Sequence, residues 1–121
     1  MPWEVLFHGE FEVELDDLAQ EAQDEALASL KVLETFGPQL GRPWVDTLKG
    51  SRYSKMKELR FDVANGVWRI AFDPRGRAIL LCGGEKSGVS EGRFYRGLIA
   101  TADKRYAAHL ALLKAGRKSK P

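Results

Sequence analysis

Several basic side chains, a tyrosine and a glutamate fall at spacings that phosphate chemistry could use. Arg60 closes the run Lys57-Glu58-Leu59-Arg60, and Arg69 sits within Val67-Trp68-Arg69-Ile70-Ala71-Phe72. Both runs alternate with period two, which sends Leu59, Phe61, Trp68, Ile70 and Phe72 to one face of a sheet and Glu58, Arg60 and Arg69 to the other. Lys86 follows in Gly83-Gly84-Glu85-Lys86-Ser87-Gly88, on a loop leaving an apolar strand. That loop lacks the Walker spacing, so it is not a P-loop. Arg93 and Tyr95 come next, at a helix start where backbone N–H groups favour anions. Arg60, Arg69, Lys86 and Arg93 can therefore converge on one phosphate. Glu58 lies between two arginines and can accept a proton, although those arginines stabilise its charged form and weaken it as a base. The plainer reading is a cross-strand ion pair worth about 0.2–1 kcal/mol.

These residues need a scaffold. Trp3-Glu4-Val5-Leu6-Phe7 predicts a first strand. From about Asp16 the spacing turns helical. Leu15, Leu18 and Ala22, then Ala26, Leu27, Leu30, Val32 and Leu33, recur at three- and four-residue intervals, and a break near residues 20–24 divides them into a helical hairpin. Gly37-Pro38 ends the second helix, and residues 37–54 read as loop. A β-meander follows. Asn65-Gly66 joins its first two strands, Asp73-Pro74-Arg75-Gly76-Arg77 turns into the third, and residues 78–82, apolar throughout, predict a central strand. Ser90 is placed to cap a last helix, with Glu91 in its first turn and an apolar stripe of Phe94, Leu98, Ala102, Tyr106, Leu110 and Leu113. The expected fold is α+β: an N-terminal strand and helical hairpin packed on a small antiparallel meander, with a C-terminal helix and the helices on one side of the sheet. Residues 1–115 make one domain, and residues 116–121 a basic, disordered tail.

Composition narrows the class. At 121 residues there is room for one core, and 44% hydrophobic with 30% charged residues is ordinary for a folded domain. The net charge of +2 conceals a strong polarity. Residues 1–30 hold nine acids and no Lys or Arg, whereas residues 31–121 hold all 19 bases against eight acids. A polyanion-binding surface would produce that distribution, as would bases scattered over a solvated surface. The single cysteine, Cys82, excludes an internal disulfide and reads as a buried small hydrophobe. No secretory signal or membrane-spanning run is present, so the expected location is cytoplasmic. His8 and His109 lack partners at metal-ligand spacing, so no metal site is expected. Trp44 either stacks on a base or covers the core.

The stretch Met56-Lys57-Glu58-Leu59-Arg60-Phe61, the arginine of Trp68-Arg69-Ile70, Gly84-Glu85-Lys86-Ser87-Gly88 before Arg93-Phe94-Tyr95, and Ala102-Asp103-Lys104-Arg105-Tyr106 with His109-Leu110 resemble the phage-derived HigB-like branch of the RelE/ParE superfamily of type II toxins. The resemblance runs from the first strand to about Leu113. It implies a RelE-like fold and a toxin acting as a metal-independent, ribosome-dependent mRNA endoribonuclease, in which a ribose 2′-hydroxyl attacks the adjacent phosphate and basic side chains stabilise the developing charge. Carried over residue by residue, it makes Arg69 and Arg60 phosphate clamps, Lys86 the cation after the strand-ending glycines, and Tyr95 a proton donor or base-stacking residue. Glu58 departs from the lysine-rich strand of RelE itself and is either a base or a group orienting Arg60. Lys57, Arg93 and Arg96 are the expected further RNA contacts. The implied partners are a cognate antitoxin, often helix-turn-helix, with mRNA and the ribosome; no membrane, small-molecule cofactor or metal is implied. Relatives of the ParE type share the fold and poison DNA gyrase without cutting RNA, which is the alternative function.

Overall fold

The computed structural model describes residues 3–63 and 66–118, with side chains through Gly116. Strand β1 (Val5–Phe7) leads into helices α1 (Gly9–Asp16) and α2 (Gln20–Phe36) and a 3-10 turn at Gly37–Gln39; strands β2 (Val45–Thr47), β3 (Lys57–Val63), β4 (Gly66–Asp73) and β5 (Ala78–Glu85) precede helix α3 (Glu91–Lys118). One five-stranded sheet runs in the order β1-β5-β4-β3-β2. Its pairs are antiparallel except β1 with β5, which is parallel. The fold is α+β and RelE-like, as expected.

Period-two alternation divides the apolar residues between the two faces of this sheet. Leu59, Phe61, Ile70, Phe72, Ala78 and Leu80 join Phe11 and Leu15 of α1 and Ala26, Leu30 and Leu33 of α2. Ala71, Ile79, Leu81 and Cys82 join Leu98, Ala102 and Tyr106 of α3 on the other face. The helices are therefore not segregated to one side. α3 lies opposite the hairpin and shares a face with Glu58, Arg60 and Arg69. Period alone could not show this, because β5 is apolar at every position of its first half and is buried on both faces. A shift in pairing from Ala71↔Cys82 to Phe72↔Leu80 skips Leu81, so adjacent Leu81 and Cys82 both serve the α3 core. Burial pushes the Cys82 thiol up to about 12, which fits its reading as a core hydrophobe.

Three boundaries differ from the pattern. The first hairpin helix is α1, ahead of the point where helical spacing begins. Phe11, Val13 and Leu15 alternate as a strand would, yet Val13 is 62% exposed and only Phe11 and Leu15 are buried. The break lies between Asp16 and Gln20 rather than within residues 20–24, and the Gln23 side chain donates to the Asp16 and Leu18 carbonyls there. Within the expected loop, β2 forms on the free edge of β3, with Val45↔Leu59 and Asp46↔Glu58 in register. The expected Asn65-Gly66 turn lies partly outside the described residues; Val63 pairs with Gly66 across it.

Ser90 caps α3 as expected, its hydroxyl accepting from the Arg93 N–H at 3.3 Å. The helix continues through Lys118, so part of the segment read as tail is helical, and residues 119–121 lie outside the described residues. Its stripe meets the sheet as far as Tyr106; Leu110 and Leu113 are exposed. Arg105 ties α3 across the sheet edge, pairing with Glu10 at 3.1 Å and with Glu14, and donating to the Leu81 carbonyl at 2.8 Å. That pinning fixes where the N-terminal turns of α3 fall relative to β3 and β4.

Candidate active site

Antiparallel register puts Arg60 directly opposite Arg69. Two like charges at such a pair repel, and Glu58 offsets this from one position along the same face. Its Oε2 is 3.9 Å from Arg60 Nε, and its Oε1 is 3.9 Å from Arg69 Nε. Tyr95 arrives from the second turn of α3. Its hydroxyl donates to Glu58 Oε1 at 2.7 Å and accepts from Arg69 Nε at 3.3 Å. Arg69 also donates to its neighbouring Trp68 carbonyl at 2.8 Å. Arg69 is only 5% exposed and Glu58 6%, so each needs these partners to be tolerated inside the protein.

Glycine makes this approach possible. Gly84 pairs with Arg69 across β4 and β5, and a Cβ there would stand 3.1 Å from Phe94 Cε1. Without that Cβ, Phe94 lies against the strand and the adjacent Tyr95 reaches Glu58. Lys86 leaves the end of β5, and its ammonium lies 5.7 Å from the Tyr95 ring centroid, within cation–π range. It also pairs with Glu91 at 3.1 Å, on the first turn of α3.

Burial first, and then the bond to Glu58, raise the Tyr95 phenol above its ordinary value, with Arg69 opposing. A phenol shifted upward holds its proton and can give it, but is a poor base. The assembly is one proton donor on a carboxylate, with Arg60, Arg69 and Lys86 around it. Such a group of fixed cations stabilises an anion that develops among them.

Of the expected residues, Glu58, Arg60, Arg69, Lys86 and Tyr95 come together. Arg93 and Arg96 lie exposed on the first turns of α3 and form no ion pair among the described residues. Lys57 does not join them. It shares the parity of Leu59 and Phe61, so it lies on the hairpin face beside Trp3, Phe72 and Pro74. Two further residues were missed. Asp46 Oδ2 lies 3.8 Å from Arg60 and accepts from Arg42 at 2.7 and 3.0 Å, and the Arg42 bond holds its carboxyl below the usual range. The signal was the β-branched pair Val45 and Thr47 flanking Asp46, which marks the strand carrying it.

The family model described as "Phage derived protein Gp49-like (DUF891)" matches residues 13–107, which include every residue of this cluster. The chain belongs to this family. It is the HigB-like, phage-derived branch of the RelE superfamily to which the residues pointed. The chain is 43% identical over 100 residues to "Putative toxin HigB2" of Mycobacterium tuberculosis, covering 80% of this chain and 49% of that protein. It is 40% identical over 94 residues to "Putative toxin HigB3" of the same organism, covering 78% of this chain and 82% of that one. The chain thus spans about half the length of the first relative. The Gp49-like match begins inside α1, so β1 lies outside it while all of α2, the remaining strands and the first half of α3 fall within it. No helix among the described residues is long and apolar enough to cross a membrane.

Proposed function

We propose that this chain is the toxin of a type II toxin–antitoxin pair and that it cuts messenger RNA on the ribosome. The observation that supports this best is the hydrogen bond from Tyr95 to Glu58 inside the Arg60, Arg69 and Lys86 cluster. In this scheme the ribose 2′-oxygen attacks the adjacent phosphorus as the bond from phosphorus to the 5′-oxygen breaks. Glu58 takes the 2′-hydroxyl proton through Oε2, and Tyr95 returns a proton to the leaving 5′-oxygen. The products are a 2′,3′-cyclic phosphate and a 5′-hydroxyl. Arg60, Arg69 and Lys86 hold the non-bridging oxygens as negative charge builds. Most of the acceleration is assigned to charge stabilisation, where one donor is worth roughly a hundredfold or more.

The word toxin in the names of both relatives supports the broader reading. Ribosome dependence, the message as substrate and a helix-turn-helix antitoxin come from the family resemblance. Action in the cytoplasm follows from a ribosomal target. Induced expression followed by mapping of mRNA 5′ ends tests the proposal. Codon-phased cuts in translated messages are expected. Intact messages with trapped gyrase–DNA complexes would replace it with ParE-like action.

A further inference from the structure

Beside the Arg60 and Arg69 cluster lies a cleft of about 470 Å³, lined by Pro43 and Trp44 of the turn before β2, by Arg60, Phe61 and Asp62 of β3, by Arg69 of β4 and by Glu25 of α2. Its volume is within the roughly 300–1,000 Å³ of small-molecule sites. The cleft exists because β2 is short. The pairing ends at Val45↔Leu59, with one further bond from the Arg60 N–H to the Trp44 carbonyl, and the edge of β3 beyond is left uncovered.

This cleft carries both signs of charge. Strand alternation places Arg60 and Asp62 on the same face, two residues apart. Asp62 and Glu25 are exposed carboxylates that make no hydrogen bond or ion pair among the described residues. Trp44 is 42% exposed, a large aromatic left open to solvent next to two arginines. A bare phosphate would use the arginines and be repelled by the carboxylates. A ligand that uses all of these groups carries an anion, a flat ring and hydrogen-bond donors on one edge. That is a nucleotide, with its base on Trp44 and its donors toward a carboxylate. Guanine presents two adjacent donors, N1–H and the N2 amino group, which one carboxylate can accept together. Uracil offers one donor between two carbonyl oxygens that a carboxylate repels.

We infer that this cleft is a base-recognition subsite for guanine, in which Trp44 stacks on the base next to the cut and Asp62 reads its Watson–Crick edge. The inference rests on the RNA-cleaving reading for its biological role, and its test is a binding measurement that does not need cleavage. Guanosine 5′-monophosphate and uridine 5′-monophosphate are titrated against the whole, nitrogen-labelled protein, and the tryptophan indole N–H signals are followed. The guanine nucleotide should shift the Trp44 indole signal and bind about tenfold more tightly than the uracil one. Trp44→Ala should weaken guanine-nucleotide binding about fivefold or more. Asp62→Asn, nearly isosteric, should bring the two affinities together. Equal affinities in the wild type, an unmoved Trp44 signal, or a preference that survives Asp62→Asn would overturn the inference. Cut mapping separates the two claims. Cleavage without guanine binding would remove the subsite and leave the ribonuclease, whereas guanine binding at Trp44 without cleavage would do the reverse.

Discussion

Tyr95→Phe removes one oxygen from the centre of the site and leaves the ring in place. The ring keeps its edge contact with Phe94 at 5.3 Å and its place under Lys86 at 5.7 Å, so packing changes little. The loss is the 2.7 Å bond to Glu58 Oε1 and the 3.3 Å bond from Arg69. Arg69 keeps the Trp68 carbonyl, and both residues keep their mutual 3.9 Å contact. A hydrogen bond to a charged group contributes about 1.5–3 kcal/mol, so the variant should lose about 2 kcal/mol and melt roughly 5–10 °C lower. Even from a stability of about 5 kcal/mol, a loss of 2 leaves about 99% of the chain folded at 25 °C. Unfolding therefore cannot account for a large loss of activity. If Tyr95 protonates the leaving oxygen, cleavage should fall about 10²- to 10⁴-fold. Urea denaturation gives the first quantity, and the cleavage rate of a translated message gives the second. A variant destabilised by about 2 kcal/mol yet cutting within threefold of wild type would refute the assignment and leave Tyr95 a structural residue.

Lys86→Ala should cost only about 1 kcal/mol, since Glu91 of its ion pair is exposed and its cation–π contact with Tyr95 is a modest one, yet abolish growth arrest on induction; full toxicity in a folded variant would remove Lys86 from the site. Arg69→Ala should also abolish arrest, but with a stability loss of about 3 kcal/mol, because buried Glu58 loses its buried cation and keeps only Tyr95 and Arg60, and chemical denaturation would show a loss near zero if that partnership were idle. Burial and then Glu58 raise the Tyr95 phenol; its stabilising contribution is therefore fully present below the unfolded value near 10 and is lost as pH rises through the higher folded value. Ultraviolet titration, taken as the difference from Tyr95→Phe, should show that late transition and should show it moving down in Glu58→Gln; an unmoved transition would contradict the coupling. Gly84→Ala should press on Phe94, which stands 3.1 Å from the new Cβ, and lower cleavage at least tenfold for a stability loss of only about 1–3 kcal/mol; unchanged cleavage would show that the placement of Tyr95 tolerates that shift.

Strong local signals made much of this fold legible. Alternation in β3 and β4 put Glu58, Arg60 and Arg69 on one face before any register was known, and Ser90 marked the start of α3. Weak or tertiary signals hid the rest. β2 has three residues and forms only because β3 offers it a free edge, so Asp46 and Arg42 went unseen beside Arg60. α1 has two turns and a sequence that alternates like a strand, and its helical form is decided by where Phe11 and Leu15 can be buried. The side of the sheet taken by α3 was equally hidden, because β5 is apolar in both directions. That choice governs the site, since only a helix on the Glu58 face can deliver Tyr95. Lys57 shows the converse: it is basic and next to Glu58 in sequence, but one residue of register sends it to the other face.

In the proposed reaction, side chains of this chain drive attack by the 2′-oxygen of the message. The most direct test presents purified protein to ribosomes carrying a defined message, first all-ribose, then with a single 2′-O-methyl group at the mapped cut position. The ribose message should be cut to a 2′,3′-cyclic phosphate and a 5′-hydroxyl, and the 2′-O-methyl message should survive intact at that position. Cleavage of the blocked message at the same bond, or a 5′-phosphate on the downstream fragment, would contradict it.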